Sequence, residues 1–153
     1  MKTQRQGAFL ISKMHQVAGR IFARKLREYR IENFSPAQGR IMFALWRQDN
    51  VSIQELSLAT QLKKSTLTSM LDRLEEAGHI KRVPSQTDRR KIMIVLTEKD
   101  RELQGVYADV SRDVTDLFYQ GFSPQEIDRF EDFLLRIFNN ISETEKNMNR
   151  MET

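Results

Sequence analysis

Apolar residues recur along most of this chain at the three- and four-residue spacing of amphipathic helices, and the pattern changes in one segment only. Leu67, Met70, Leu71 and Leu74, for example, fall at i, i+3, i+4 and i+7 and so form one stripe. Start signals punctuate these stripes. Ser35-Pro36-Ala37-Gln38, Ser52-Ile53-Gln54-Glu55 and Ser123-Pro124-Gln125-Glu126 each put a hydroxyl at an N-cap with Gln or Glu three residues on, where the two side chains satisfy orphan backbone donors reciprocally. Two of them add Pro at the first helical position. Thr97, followed by Glu98 and Asp100, reads as a fourth start, its acids placed favourably against the helix dipole. Gly78 reads as a stop.

These signals predict helices over 8–30, 36–48, 53–59, 64–77, 98–120 and 124–144. The exception is the stretch after Gly78. Ile80 to Val83 and Ile92 to Leu96 are rich in β-branched residues and flank the turn-prone run Pro84 to Lys91, which predicts a two-stranded hairpin with a long tip. The expected fold is therefore mainly α with a small β ribbon. Disorder is expected only at Met1 to Gln6 and in the polar tail beyond about Lys146.

Thr60-Gln61-Leu62-Lys63 joins two short helices with the length of connection that a helix-turn-helix uses. Opposite the apolar stripe of the second helix lie Ser65, Ser69 and Asp72, flanked by Thr66, Thr68 and Arg73. A merely solvated face would more typically carry Glu, Lys and Gln, because Ser and Thr are poorer helix formers. Short hydroxyls instead let a backbone approach a groove closely and hydrogen-bond phosphates or base edges. The bland alternative makes Ser65 and Thr66 helix caps and Ser69 incidental. The hairpin tip, Asp88-Arg89-Arg90-Lys91, sets three adjacent cations beside one acid, a self-repelling arrangement unless an anion or Asp88 relieves it. Against a duplex it would place an Arg in the minor groove, where the potential is most negative.

Charge sharpens this picture. Of 25 Lys and Arg against 21 Asp and Glu, eight bases and four acids lie between Lys63 and Lys91, so the whole net charge of +4 sits in that stretch. Lys63, Lys64, Arg73, Lys81, Arg82, Arg89, Arg90 and Lys91 are its cations. Such clustering suits a phosphate-binding surface, although charge alone fits a solvated basic face as well. The absence of Cys rules out disulfides and thiolate metal sites, and with only His15 and His79 present no metal or other cofactor is expected. No Gly-rich phosphate loop and no Cys or His nucleophile–base arrangement is present, so an enzyme is not expected. No apolar run approaches the about 20 residues of a membrane span and Met1 to Phe9 lacks a signal-peptide core, so a cytoplasmic protein that does not bind membranes is expected.

Ser65-Thr66-Leu67-Thr68, the run Leu74 to Arg82, and Asp88-Arg89-Arg90 followed by Leu96-Thr97 resemble the multiple antibiotic resistance regulator (MarR) family. The family's Asp-x-Arg wing signature falls on Asp88 and Arg90. Asp100 stands where such chains often have Gly, and Ser85 where Asp is common. The resemblance implies a winged helix-turn-helix module over 35–97, with helical dimerisation regions over 1–34 and 98–153. It also implies an obligate homodimer on a palindromic operator in double-stranded DNA, usually repressing, and often relieved by a small aromatic or phenolic ligand. His15 and Phe43 are the candidates for that ligand, with surface exposure and core packing as their plainer readings.

Dimerisation has support from the residues themselves. Ile127, Phe130, Phe133, Leu134, Ile137, Phe138 and Ile141 form a broad apolar stripe on the last helix, and Leu10, Met14, Val17, Ile21 and Leu26 give the first a similar face. The module between them already has a core of its own in Ile41, Leu45, Leu56, Leu67, Leu71, Leu74 and Ile80. A winged module that docks on a protein partner is the main rival, and the wing separates the two: only phosphates give a reason for Arg89-Arg90-Lys91 beside Lys81-Arg82.

Overall fold

The computed structural model describes residues 4–31 and 34–152. Seven helices and three short strands follow in the order α1 (Gly7–Glu28), α2 (Pro36–Arg47), β1 (Val51–Ser52), α3 (Ile53–Thr60), α4 (Lys64–Glu76), β2 (Ile80–Pro84), β3 (Ile92–Leu96), α5 (Glu98–Glu102), α6 (Gln104–Phe118) and α7 (Pro124–Met151) among the described residues. Each Ser-x-x-Gln/Glu signal forms a complete capping box: the hydroxyls of Ser35, Ser52 and Ser123 accept from the N–H three residues on, while Gln38, Glu55 and Glu126 reach back.

Three expectations are corrected. The predicted helix 98–120 breaks at Leu103 into α5 and α6, with Gly105, a poor helix former, just beyond. Thr97 does start a helix, as the N-cap of α5 with Glu98 and Asp100 in the first turn, and its hydroxyl donates to the Gly78 carbonyl at 2.8 Å. The tail beyond Lys146 is helical to Met151; its Lys, Asn and Arg residues extend α7. The ribbon gains a third strand: β1 pairs antiparallel with β3, Val51 opposite Ile94, giving the order β1-β3-β2. Of the expected disorder at Met1 to Gln6, Met1 to Thr3 lie outside the described residues.

Two compact units divide the chain, Met1–Val114 and Thr115–Thr153. In the first, all seven residues proposed as the core of the winged module are buried, together with Met42, Val51, Ile94 and Leu96. Leu26 and Ile31 before the module and Tyr107 and Val110 after it share that core, which therefore extends beyond 35–97. The stripe on α1 is split. Leu26 is buried, whereas Leu10, Met14 and Val17 are exposed. In the second unit Phe118, Tyr119, Phe122 and Phe130 form a ring cluster, and Gly121 supplies the positive φ of the turn between α6 and α7. No residue of α7 is buried, and Ile137, Phe138 and Ile141 are wide open.

Candidate nucleic-acid interface

The turn between α3 and α4 is built by hydroxyls. Thr60 is buried, donates its Oγ1 proton to the Leu56 carbonyl at 2.7 Å and accepts from the Leu62 N–H at 3.3 Å; Ser57 donates to the Leu62 carbonyl at 3.0 Å. Gln61, at φ 56°, takes the left-handed conformation that closes α3. Helix α4 leaves this turn with Leu67, Leu71 and Leu74 facing the core.

The opposite face of α4 is open, and the caps reading of its hydroxyls fails. Lys63 is the N-cap, so Ser65 and Thr66 stand inside the helix, exposed, and like Ser69 they carry no side-chain hydrogen bond among the described residues. Thr68 differs: its hydroxyl donates to the Lys64 carbonyl at 2.8 Å, a bond within the helix. Lys63, Lys64, Arg73, Lys81, Arg89 and Lys91 are exposed and make no ion pair among the described residues.

Two pairs of the predicted contact residues meet in the structure. Asp88 Oδ1 accepts from the Arg90 backbone N–H at 3.1 Å and from its Nε at 3.3 Å, while the Arg90 side chain stays 92% exposed. Ser85 organises the rest of the tip. Its Oγ accepts from the N–H groups of Thr87 and Asp88, and its own N–H donates to the Lys91 carbonyl, so the hydroxyl serves the turn. The second pair is Arg82 with Asp72: Nη2 donates to Asp72 Oδ1 at 2.7 Å and Nη1 to Glu75 Oε1 at 2.9 Å. Among the described residues Arg82 is thus the one predicted DNA-contact cation outside α4 that is tied back onto that helix.

The junction between α4 and the wing closes tightly. Gly78, at φ 81°, ends α4 in a Schellman motif, with the Gly78 N–H donating to Glu75 and the His79 N–H to Leu74. His79 is then buried against Asp100, and Tyr107 donates its hydroxyl proton to Asp100 at 3.5 Å. Asp49 anchors the other side of the sheet, accepting from the Leu96 N–H at 2.8 Å and from Arg101 Nε at 3.1 Å. That carboxylate holds the Arg101 guanidinium above its ordinary pKa. The sequence reading missed both Asp49 and Asp100, and the departure from Gly at Asp100 was the available signal for the second.

His15 is exposed on α1, and Phe43 is exposed on α2 with the Arg47 guanidinium 5.9 Å from its ring centroid; Phe43 is therefore not a core residue. Among the described residues no three His, Asp or Glu side chains are grouped to hold a metal ion, and no helix is long and apolar enough to cross a membrane.

Residues 34–92 match the model of the MarR family. Over 65 residues, 42% of the chain, the sequence is 37% identical to the HTH-type transcriptional regulator TtmR of Methylorubrum extorquens, of which that stretch covers 33%. The matched stretches span a third to about half of the length of the first such relatives. A solved transcriptional regulator superposes with a TM-score of 0.76 at 26% identity, covering 89% of this chain and 98% of its own. A mutant MarR from E. coli, solved in complex with operator DNA, superposes with a TM-score of 0.70 at 21% identity, over 85% of this chain and 91% of its own. The named relatives are transcriptional regulators.

Proposed function

We propose that the chain, whose residues 34–92 match the MarR family model, is a sequence-specific DNA-binding transcriptional regulator of that family. In this reading it acts as a homodimer that represses from a palindromic operator and is released by a small aromatic or phenolic ligand. The strongest support is the wing guanidinium of Arg90, fully presented to solvent yet held by Asp88. A structural turn has no use for such a cation; a narrow minor groove does. Beside it, the exposed hydroxyls of Ser65, Thr66 and Ser69 and the Asp72 carboxylate suit base edges in the major groove, and Lys63, Lys64, Arg73, Lys81, Arg89 and Lys91 suit phosphates.

Dimerisation draws support from the length of α7. Ile127, Phe130, Leu134, Ile137, Ile141, Thr144, Met148 and Met151 fall at alternating steps of three and four, a heptad seam with one polar position. None is buried within the chain. A second copy fits this seam, and two recognition helices on a two-fold axis then match a palindrome. The exposed ring of Phe43 on α2 and the imidazole of His15 on α1 remain the ligand candidates.

The test is binding to duplex fragments recovered from genomic DNA, read as affinity against salt. If a dimer contacts roughly 6–10 phosphates, affinity falls about 10³–10⁵-fold between about 50 and 200 mM salt. Near-constant affinity would favour the winged protein-interaction module instead.

A further inference from the structure

Arg82 carries a formal charge that the sequence assigns to the DNA surface, yet it is the most enclosed of the cations ion-paired around that surface. Its side chain is 21% exposed, against 92% for Arg90. Three bonds hold it. The Arg82 backbone N–H donates to Glu75 Oε2 at 2.9 Å, Nη1 to Glu75 Oε1 at 2.9 Å, and Nη2 to Asp72 Oδ1 at 2.7 Å. Glu75 thereby uses both oxygens to fix Arg82 on β2, and the planar guanidinium passes that order on to Asp72.

Asp72 needs such a partner. Its carboxylate is 62% exposed on the same face of α4 as Ser65 and Ser69, seven and three residues earlier. In a groove lined by phosphates an isolated carboxylate would be repelled, and its free rotamers would have to be frozen on binding. With Oδ1 engaged by Arg82, the charge is offset and the side chain is already set. Oδ2 carries no hydrogen bond among the described residues and remains an acceptor. Base-edge donors in the major groove are exocyclic amino groups, cytosine N4 and adenine N6.

We infer that Arg82 is a positioning residue and not a phosphate ligand: locked by Glu75, it holds Asp72 as a pre-set acceptor for a base amino group. This rests on the reading that α4 enters the major groove. Because Arg82 belongs to β2 and Asp72 to α4, the same three bonds fix the wing against the recognition helix.

The experiment selects bound duplexes from a randomised library with the full chain and its variants, then measures affinity for the selected duplex against salt. Arg82→Ala and Asp72→Asn should both lose preference, about 5- to 150-fold, at the same base-pair position, with the salt slope unchanged. Arg82→Lys keeps the charge and lacks the fork, so it should show the same loss; it also serves if Arg82→Ala fails to fold. Lys81→Ala, on the neighbouring position, should lower the slope by about 0.9 for each phosphate contact removed and keep the preference. A lowered slope with retained preference in Arg82→Ala, or full preference in Arg82→Lys, overturns the positioning role. Preference that shifts with Ser69→Ala but not with Asp72→Asn overturns the acceptor role alone. If Ser69→Ala and Asp72→Asn both leave base preference untouched, the placement of α4 in the major groove itself fails.

Discussion

His79 Nδ1 lies 3.0 Å from Asp100 Oδ2, and both residues are buried at the point where the recognition helix passes into the wing. His79 is the residue immediately after the Schellman glycine, and its carbonyl accepts from the Thr97 N–H at 3.1 Å, so the pair ties α4, the sheet and α5 together. A buried polar group that loses a hydrogen-bond partner is costly. Asp100→Ala should therefore destabilise the chain by about 1–3 kcal/mol, read by urea unfolding with the buried Trp46 as fluorophore. Replacing both residues, His79→Phe with Asp100→Ala, should cost less than the sum of the single changes. A loss under about 0.5 kcal/mol for Asp100→Ala, the range of ordinary surface changes, would mean that the pair contributes nothing.

The wing separates local geometry from bulk charge. Asp88→Ala adds net positive charge and would tighten DNA binding if only bulk electrostatics mattered. The Arg90 side chain, however, is held by Asp88 through Nε at 3.3 Å and is otherwise free in solvent. Asp88→Ala should thus weaken binding, in parallel with Arg90→Ala, and both effects should be largest on sites flanked by A·T-rich tracts. Fluorescence anisotropy at fixed salt measures this; tighter binding by a folded Asp88→Ala protein would rule out the orienting role.

Much of this architecture is legible in the sequence because its causes are local. Ser35, Ser52 and Ser123 act within three residues of themselves, and the stripe Leu67-Met70-Leu71-Leu74 records its own burial. Strand β1 was invisible because two residues carry no period, and its partner β3 is far along the chain. Asp49 reaches across 47 residues to the Leu96 N–H, and Asp100 across 21 to His79; such pairings are set by folding and leave no spacing signal. Arg82 is the instructive case. Composition shows a cation in a basic stretch, but only the fold shows that two acids on α4 already hold it.

The exposed stripe on α7 offers a test of the proposed dimer. Ile137 is 42% exposed within one chain, so Ile137→Asp should change monomer stability by no more than about 0.5 kcal/mol if nothing covers it. If a second copy covers it, the same change buries an unpaired carboxylate at the seam and breaks the assembly. The parent should sediment at about 36 kDa, twice 18.0 kDa, and Ile137→Asp, like truncation after Phe122, as a monomer. Sedimentation of the parent as a concentration-independent monomer that still selects specific DNA would refute the dimer.

The last prediction concerns Tyr119, whose hydroxyl donates to Glu131 Oε1 at 2.7 Å within the second unit. Partial burial, then the hydrogen bond to Glu131 and the repulsion between that carboxylate and a phenolate, push its pKa up from 10.0 to about 12. The neutral phenol is the form the fold favours. Since the folded value lies above the unfolded one, the stabilising effect is fully present below about pH 10 and is lost as pH rises through about 12. In a spectroscopic titration the Tyr119 phenolate signal should therefore appear about two units later than an ordinary phenol. Tyr119→Phe should remove that late step. Glu131→Gln removes the charge and the acceptor carboxylate but leaves the surroundings in place, so it should move the step down toward 10 without abolishing it. A late step that survives Tyr119→Phe unchanged would assign it to another tyrosine and sever the proposed link between Tyr119 and Glu131.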